Sequence, residues 1–468
     1  MSVEVIHNPS ELTQRWVAAR GVVIPLVKGS KGIPTKVLKN VLLPALHHGC
    51  MPVLLTDFND ITALTSWISR IRLNGRVDVL PYTDAYAQLG AETIARHSAG
   101  PAWKKNLFVE GENELNNEEK ILLRRSFGDA NTVSLTRLPG GHSAKVYCAY
   151  ASIPASRVGS RPLPFFVKFD RFSKIRREFN NYHECAVNYV PFNLRPNVEQ
   201  ERLALGSTRG ILVGNFVEHS ESLWEVVCRG AGQTAINSLF ENTLRGWRLQ
   251  AYQPDTEIVD RPLAVSMGGA IQPNIGRRWK AALLRRASLA AEHYGAKFGN
   301  YEELARLLDG LPRFRHRVSF THGDLHGENV RVRGTDAILI DLASVAPGPL
   351  ASDPAALDVW LGFANTDLSY DEWMKLVDKL YSFENLTTLP PPQSEPTSGH
   401  EVWNTIRQIR RVASIDRSNE TEYATAIAIA LLRRACYDDT GDGERRRIYG
   451  YFIADGIARR ISDMAGKT

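Results

Sequence analysis

A polar stretch, Thr321-His322-Gly323-Asp324-Leu325-His326-Gly327-Glu328-Asn329, precedes a short apolar run, Ala337-Ile338-Leu339-Ile340, that ends on Asp341. Asp341 follows Asn329 at an offset of twelve residues, a distance that suits a short hairpin. The residue types suit phosphoryl transfer, which needs positioned charge more than covalent help. A carboxylate on a tight loop can accept the proton of an incoming hydroxyl. An asparagine five residues on can turn back to a magnesium ion, and a second carboxylate can bridge that ion and the phosphates of a nucleotide. The plainer alternative is two turn aspartates and a capping asparagine in an unrelated fold.

This spacing resembles the catalytic loop and metal-binding aspartate of the protein-kinase-like phosphotransferases. The aminoglycoside phosphotransferases and choline kinases share its His-Gly-Asp, where protein kinases have His-Arg-Asp. The resemblance implies ATP and Mg2+ as cofactors, Asp324 as the catalytic base, and Asn329 and Asp341 as metal ligands. It also places Asp353 where that family has a further acid. The stretch from Leu339 to Asp353 is similar to a bacterial branch, the kinase-like ternary complex associated domains found with conflict and signalling modules, in having a Gly-Pro turn before the second aspartate. One departure is that Leu342-Ala343 stand where protein kinases carry Phe-Gly.

The rest of such a machine belongs upstream. Phe165-Phe166-Val167-Lys168-Phe169 is an apolar strand with one lysine, a charge that a buried strand tolerates only when it is paired. Glu178 follows ten residues later in a helical run, and the two resemble the family's lysine–glutamate ion pair. Gly140, Gly141 and Ser143 lie between two strand signals, where a phosphate-covering loop is expected; alone they read as a hairpin turn. The run from Ile211 to Glu218 is expected to end the small lobe, with main chain near Phe216 and Glu218 meeting an adenine edge.

Around these motifs the chain reads as α+β: a bilobal kinase-like fold with a β-rich small lobe and a helical large lobe, preceded by a small α/β domain. The expected boundaries are 1–110 for the α/β domain, 111–132 for a connector, 133–220 for the small lobe and 221–468 for the helical lobe. Alternating strand and helix signals define the first unit. A receiver domain would need acids after its first strand. Here Lys28 stands there instead, so a receiver-like unit would be a degenerate one. The loop Lys28-Gly29-Ser30-Lys31-Gly32 lacks Walker spacing and reads as a strand-to-helix turn. The Pro-rich stretch from Leu389 to Pro396 reads as an exposed loop.

Charge and cysteine usage narrow the class. A net charge of +6 is carried largely by arginine doublets such as Arg410-Arg411 and Arg433-Arg434 and by Arg445-Arg446-Arg447, read here as solvated helix faces. No nucleic-acid motif accompanies them, so no nucleic-acid partner is expected. Five scattered cysteines form no Cys-x-x-Cys pair, no run is apolar enough for a membrane helix, and Met1 to Ser10 show no secretory pattern. A cytoplasmic location is expected. The leading reading is an ATP- and Mg2+-dependent phosphotransferase acting on a hydroxyl of a small molecule or protein. The alternative is a nucleotide-binding, pseudokinase-like scaffold in a bacterial defence or signalling complex, with the N-terminal domain meeting a protein partner. A drug-modifying kinase would place Asp358, Asp367, Asp371 and Glu372 in a substrate cleft.

Overall fold

The computed structural model describes residues 21–26, 33–47, 50–71, 73, 77–82, 86–96, 106–138, 144–154, 163–254, 256, 258–270, 301–364, 367–392, 397–416, 420–436 and 444–466. The chain divides into two compact units, Met1–Asn180 with Pro196–Glu218, and Asn181–Arg195 with His219–Thr468. The first is β-rich and the second largely helical, in keeping with the α+β kinase-like fold class.

In the first unit, strands β1 (Gly21–Pro25), β2 (Met51–Thr56) and β3 (Asp78–Pro81) form a parallel sheet in that order. Alternate residues of β2 enter two apolar clusters, Leu54 one and Val53 with Leu55 the other. A central parallel strand is buried on both faces, which explains why this run carries no polar alternation. A six-stranded sheet follows: β4 (Phe108–Glu110), β5 (Thr132–Arg137), β6 (Lys145–Ser152), β7 (Leu163–Arg171), β8 (Ala204–Leu205) and β9 (Arg209–Asn215), in the order β4-β5-β6-β7-β9-β8.

Residues 111–132 are built into this sheet. The Asn117–Ser126 helix begins with a capping box between Asn116 and Glu119, and its Leu122 and Leu123 join the core formed by Val133, Ala149, Phe165 and Val213. Glu118 accepts from the main-chain N–H of Thr208 at 2.8 Å and the Ser207 hydroxyl at 2.9 Å. The fully buried Glu119 pairs with Lys145 at 2.7 Å and Arg209 at 2.8 Å. Burying two carboxylates side by side is tolerable only because each has such donors.

The second unit contains two small sheets. Strands β10 (Glu221–Ser222), β13 (Val330–Arg333) and β14 (Asp336–Leu339) form one, and β11 (Ile258–Arg261), β12 (Phe314–Thr321) and β15 (Ala346–Pro349) the other. Helices dominate the rest: Ser352–Gly362, Tyr370–Leu380, Thr397–Asp416, Glu420–Arg434 and Glu444–Ala465. The Ser352–Gly362 helix is buried almost all round, which makes it the centre of this unit. None of the described helices is long and apolar enough to cross a membrane.

One expectation fails here, because packing overrides local composition. Arg410, Arg446 and Arg447 are buried rather than solvated. Arg446 lies over the Trp373 ring, and Arg447 donates to the Ala435 carbonyl at 2.9 Å. Asp358 is fully buried, held by Arg410, Tyr381 and Tyr423, and so is a packing residue rather than part of an open cleft. Leu389 is buried as well, and its carbonyl and that of Pro390 accept from Arg407 and Trp403, so the start of the Pro-rich stretch is anchored.

Candidate functional site

The polar loop begins where β12 ends at Thr321, and its geometry follows from one turn and one hairpin. Gly323 sits at φ +74, a conformation open to glycine, and a Cβ there would fall 2.4 Å from the Ser344 carbonyl. A Gly323→Ala variant should therefore lose about 2 kcal/mol or more in urea unfolding. Gly334→Ala makes the control, because Gly334 has φ +63 and nothing within 4 Å of a built Cβ. Equal losses in the two would show that the close approach to Ser344 carries no weight.

The β13–β14 hairpin turns through Gly334-Thr335, and its register pairs Val330 with Leu339. Asn329 and Ile340 extend that ladder, since the Ile340 N–H donates to the Asn329 carbonyl at 3.0 Å. The twelve-residue spacing therefore brings Asn329 beside the residue preceding Asp341. His322 closes the arrangement, its Nε2 meeting the Ile340 carbonyl at 3.0 Å.

Asp324 is exposed. Its main-chain carbonyl accepts from Asn329 Nδ2 at 2.9 Å, which leaves the Asp324 carboxylate out of the loop's own bonding and Asn329 Oδ1 as the side-chain atom suited to a cation. Asp341 adopts the left-handed conformation, φ 58 and ψ 72. Such strain in a non-glycine residue costs about 1–3 kcal/mol and clusters at functional positions. A carboxylate and an amide oxygen are hard donors that fit Mg2+, an ion held by few protein ligands together with water and phosphate. Among the described residues, no three His, Cys, Asp or Glu side chains gather into a metal cage.

Asp353 does something the motif alone did not reveal. Buried at the start of the Ser352–Gly362 helix, it accepts from the His322 N–H at 2.7 Å and the Gly323 N–H at 3.1 Å. It thus clamps the loop backbone directly ahead of Asp324. Burial pushes its carboxyl above the ordinary value, against the pull of His322 and those two N–H donors. Trp360, from the same helix, stacks on His326 with ring centroids 6.1 Å apart, and a Cβ on Gly327 would strike its ring at 2.3 Å. Burial also lowers the His326 pKa, which favours the neutral imidazole. Asn181 was missed as well; its Nδ2 donates to the carbonyls of Leu342 at 2.8 Å and Val345 at 3.2 Å, bracing the turn after Asp341. The only sequence signal for these supports was the position of Asp353 after the Gly-Pro turn.

Within the first unit, Lys168 on β7 and Glu178 on the Phe172–Asn181 helix form an ion pair at 2.9 Å, both side chains about 6% exposed. A pair so nearly dry holds each member in one place. Phe216 and Glu218 follow the end of β9 at Asn215, where the Glu218 N–H donates to the Phe216 carbonyl. The strands flanking Gly140, Gly141 and Ser143 pair antiparallel as β5 and β6, while those three residues lie outside the described residues.

Residues 298–437 match the family model Ternary complex associated domain 9. The matched segment holds the loop, the hairpin, Asp341 and Asp353. It agrees with the branch resemblance read from the Gly-Pro turn. No curated protein matches the chain. Among solved structures, an aminoglycoside-3'-phosphotransferase of type VIII is similar at 17% identity and a TM-score of 0.35, covering 64% of this chain and 93% of its own. An amicoumacin kinase in complex with AMP-PNP, Ca2+ and Ami is similar at 11% identity and 0.33, covering 70% and 88%. A choline kinase from Cryptosporidium parvum stands at 12% identity and 0.32, covering 78% and 92%.

Proposed function

We propose that this chain is an ATP- and Mg2+-dependent phosphotransferase with a hydroxyl acceptor. The observation that carries the reading is the hairpin register that sets Asn329 beside Ile340, the residue before Asp341, on the loop that presents an exposed Asp324. In this reading Asp324 takes the proton of the acceptor hydroxyl as the phosphorus–oxygen bond forms, and ADP leaves. Asn329 and Asp341 hold Mg2+, which supplies charge neutralisation at the transferring phosphate. Lys168, fixed by Glu178, serves the α- and β-phosphates, and main chain near Phe216 and Glu218 the adenine. Gly140, Gly141 and Ser143 would cover the phosphates. Asp353 and His322 keep the loop in register with the hairpin.

The scaffold reading shares the nucleotide and differs only at Asp324, a carboxylate that binding alone does not need. Retention of an exposed acid on a clamped loop favours chemistry.

Nucleotide and metal are tested by thermal unfolding. At about 100-fold excess over Kd, ATP with Mg2+ should stabilise the protein by about 2.7 kcal/mol. Asp341→Asn, which tolerates the left-handed backbone, should lose most of that gain. Equal stabilisation of both proteins would remove Asp341 from the metal site.

A further inference from the structure

The arginines at alternate positions of one strand suggest a second function, independent of phosphoryl transfer. Arg313, just before β12, and Arg315 and Arg317 within it fall on one side of the strand, whereas His316 between them is fully buried against Ser266. Side chains two apart on a strand recur at about 6.8 Å. Across the ladder, Arg317 faces Ile258 and Arg315 faces Asp260.

Two of these guanidinium groups are held by main-chain carbonyls. Arg313 donates to the Asp260 main-chain carbonyl at 2.7 Å, and Arg317 to the Ala251 carbonyl at 2.8 Å. Arg315 is exposed. Among the described residues none of the three makes an ion pair, although Asp260 is near. Arg124, Arg202, Arg209 and Arg410, by contrast, all meet carboxylates. Tyr252 ends the row: it is 43% exposed, with the Arg317 guanidinium 4.6 Å from its ring centroid.

We propose that this face of β12, with Tyr252, binds single-stranded nucleic acid. A row of cations on one side of a strand complements a linear polyanion. An exposed tyrosine beside an arginine offers a flat surface on which an unpaired base can stack.

The test is fluorescence anisotropy of the full chain with a labelled oligothymidylate. Three phosphate contacts predict a slope of log K against log salt near about −2, from about −0.7 per phosphate. An Arg313→Ser, Arg315→Ser double variant should retain about one third of that slope, and Arg315→Ser alone carries the test should the double variant be destabilised. Tyr252→Leu should weaken binding about tenfold with the slope unchanged. Absence of binding at low salt, or variants that bind like the wild type, would overturn the proposal. So would equal affinity for polyglutamate of matched charge, which would mark a surface for acidic protein, or tighter binding of a duplex than of the single strand.

Discussion

Replacing Arg410 by alanine is expected to remove about 3–5 kcal/mol of folding stability, a large part of what a protein of this kind has. Arg410 gives Nε to one Asp358 oxygen at 2.7 Å and a terminal nitrogen to the other at 3.1 Å; its remaining donors reach the carbonyls of Leu380 and Asn385. Tyr423 and Tyr381 also donate to the Asp358 carboxylate, at 2.9 and 3.1 Å. Burial depresses the Arg410 pKa, but the Asp358 carboxylate outweighs it and the net direction is upward. Both tyrosine hydroxyls are pushed well up, first by burial and then by Asp358. Alanine would leave a charged carboxylate buried with only two hydroxyls. An Asp358→Asn, Arg410→Met double variant should recover part of the loss, since the isolated charge is what costs most. Arg411→Ala, at the exposed neighbour, should change stability little. A loss below about 1 kcal/mol for Arg410→Ala in equilibrium urea unfolding would contradict the buried network.

What the sequence made legible was mostly local. The spacing from Asn329 to Asp341 read correctly as a hairpin because a two-residue turn at Gly334 leaves only one register for the apolar residues of β14. Lys168 and Glu178 were legible because a charge within an apolar strand needs a partner within reach. The supports were not. Asp353 meets two N–H groups thirty or more residues back, and Asn181 reaches carbonyls more than 160 residues on. Contacts of that range leave no periodic trace. Charge misled for the same reason. Arg410 and Arg446, each within a conspicuous basic run, are core residues, whereas the row at Arg313, Arg315 and Arg317 became visible only once β12 placed them on one face.

The larger effect still belongs to Asp324. Its carboxylate takes no part in the loop's hydrogen bonds, whereas its main-chain carbonyl holds Asn329. Changing the carboxylate to an amide should therefore leave the loop, the hairpin and the proposed Mg2+ ligands as they are. Loss of a placed general base costs about 10²–10⁴ in rate. The decisive measurement is transfer of labelled γ-phosphate from ATP with Mg2+, to water, to the chain itself or to a mixture of hydroxyl-bearing small molecules and proteins, in wild type and Asp324→Asn. The account predicts transfer by the wild type, loss of at least about a hundredfold in the variant, and unchanged ATP affinity in both. Undiminished transfer by Asp324→Asn would contradict it.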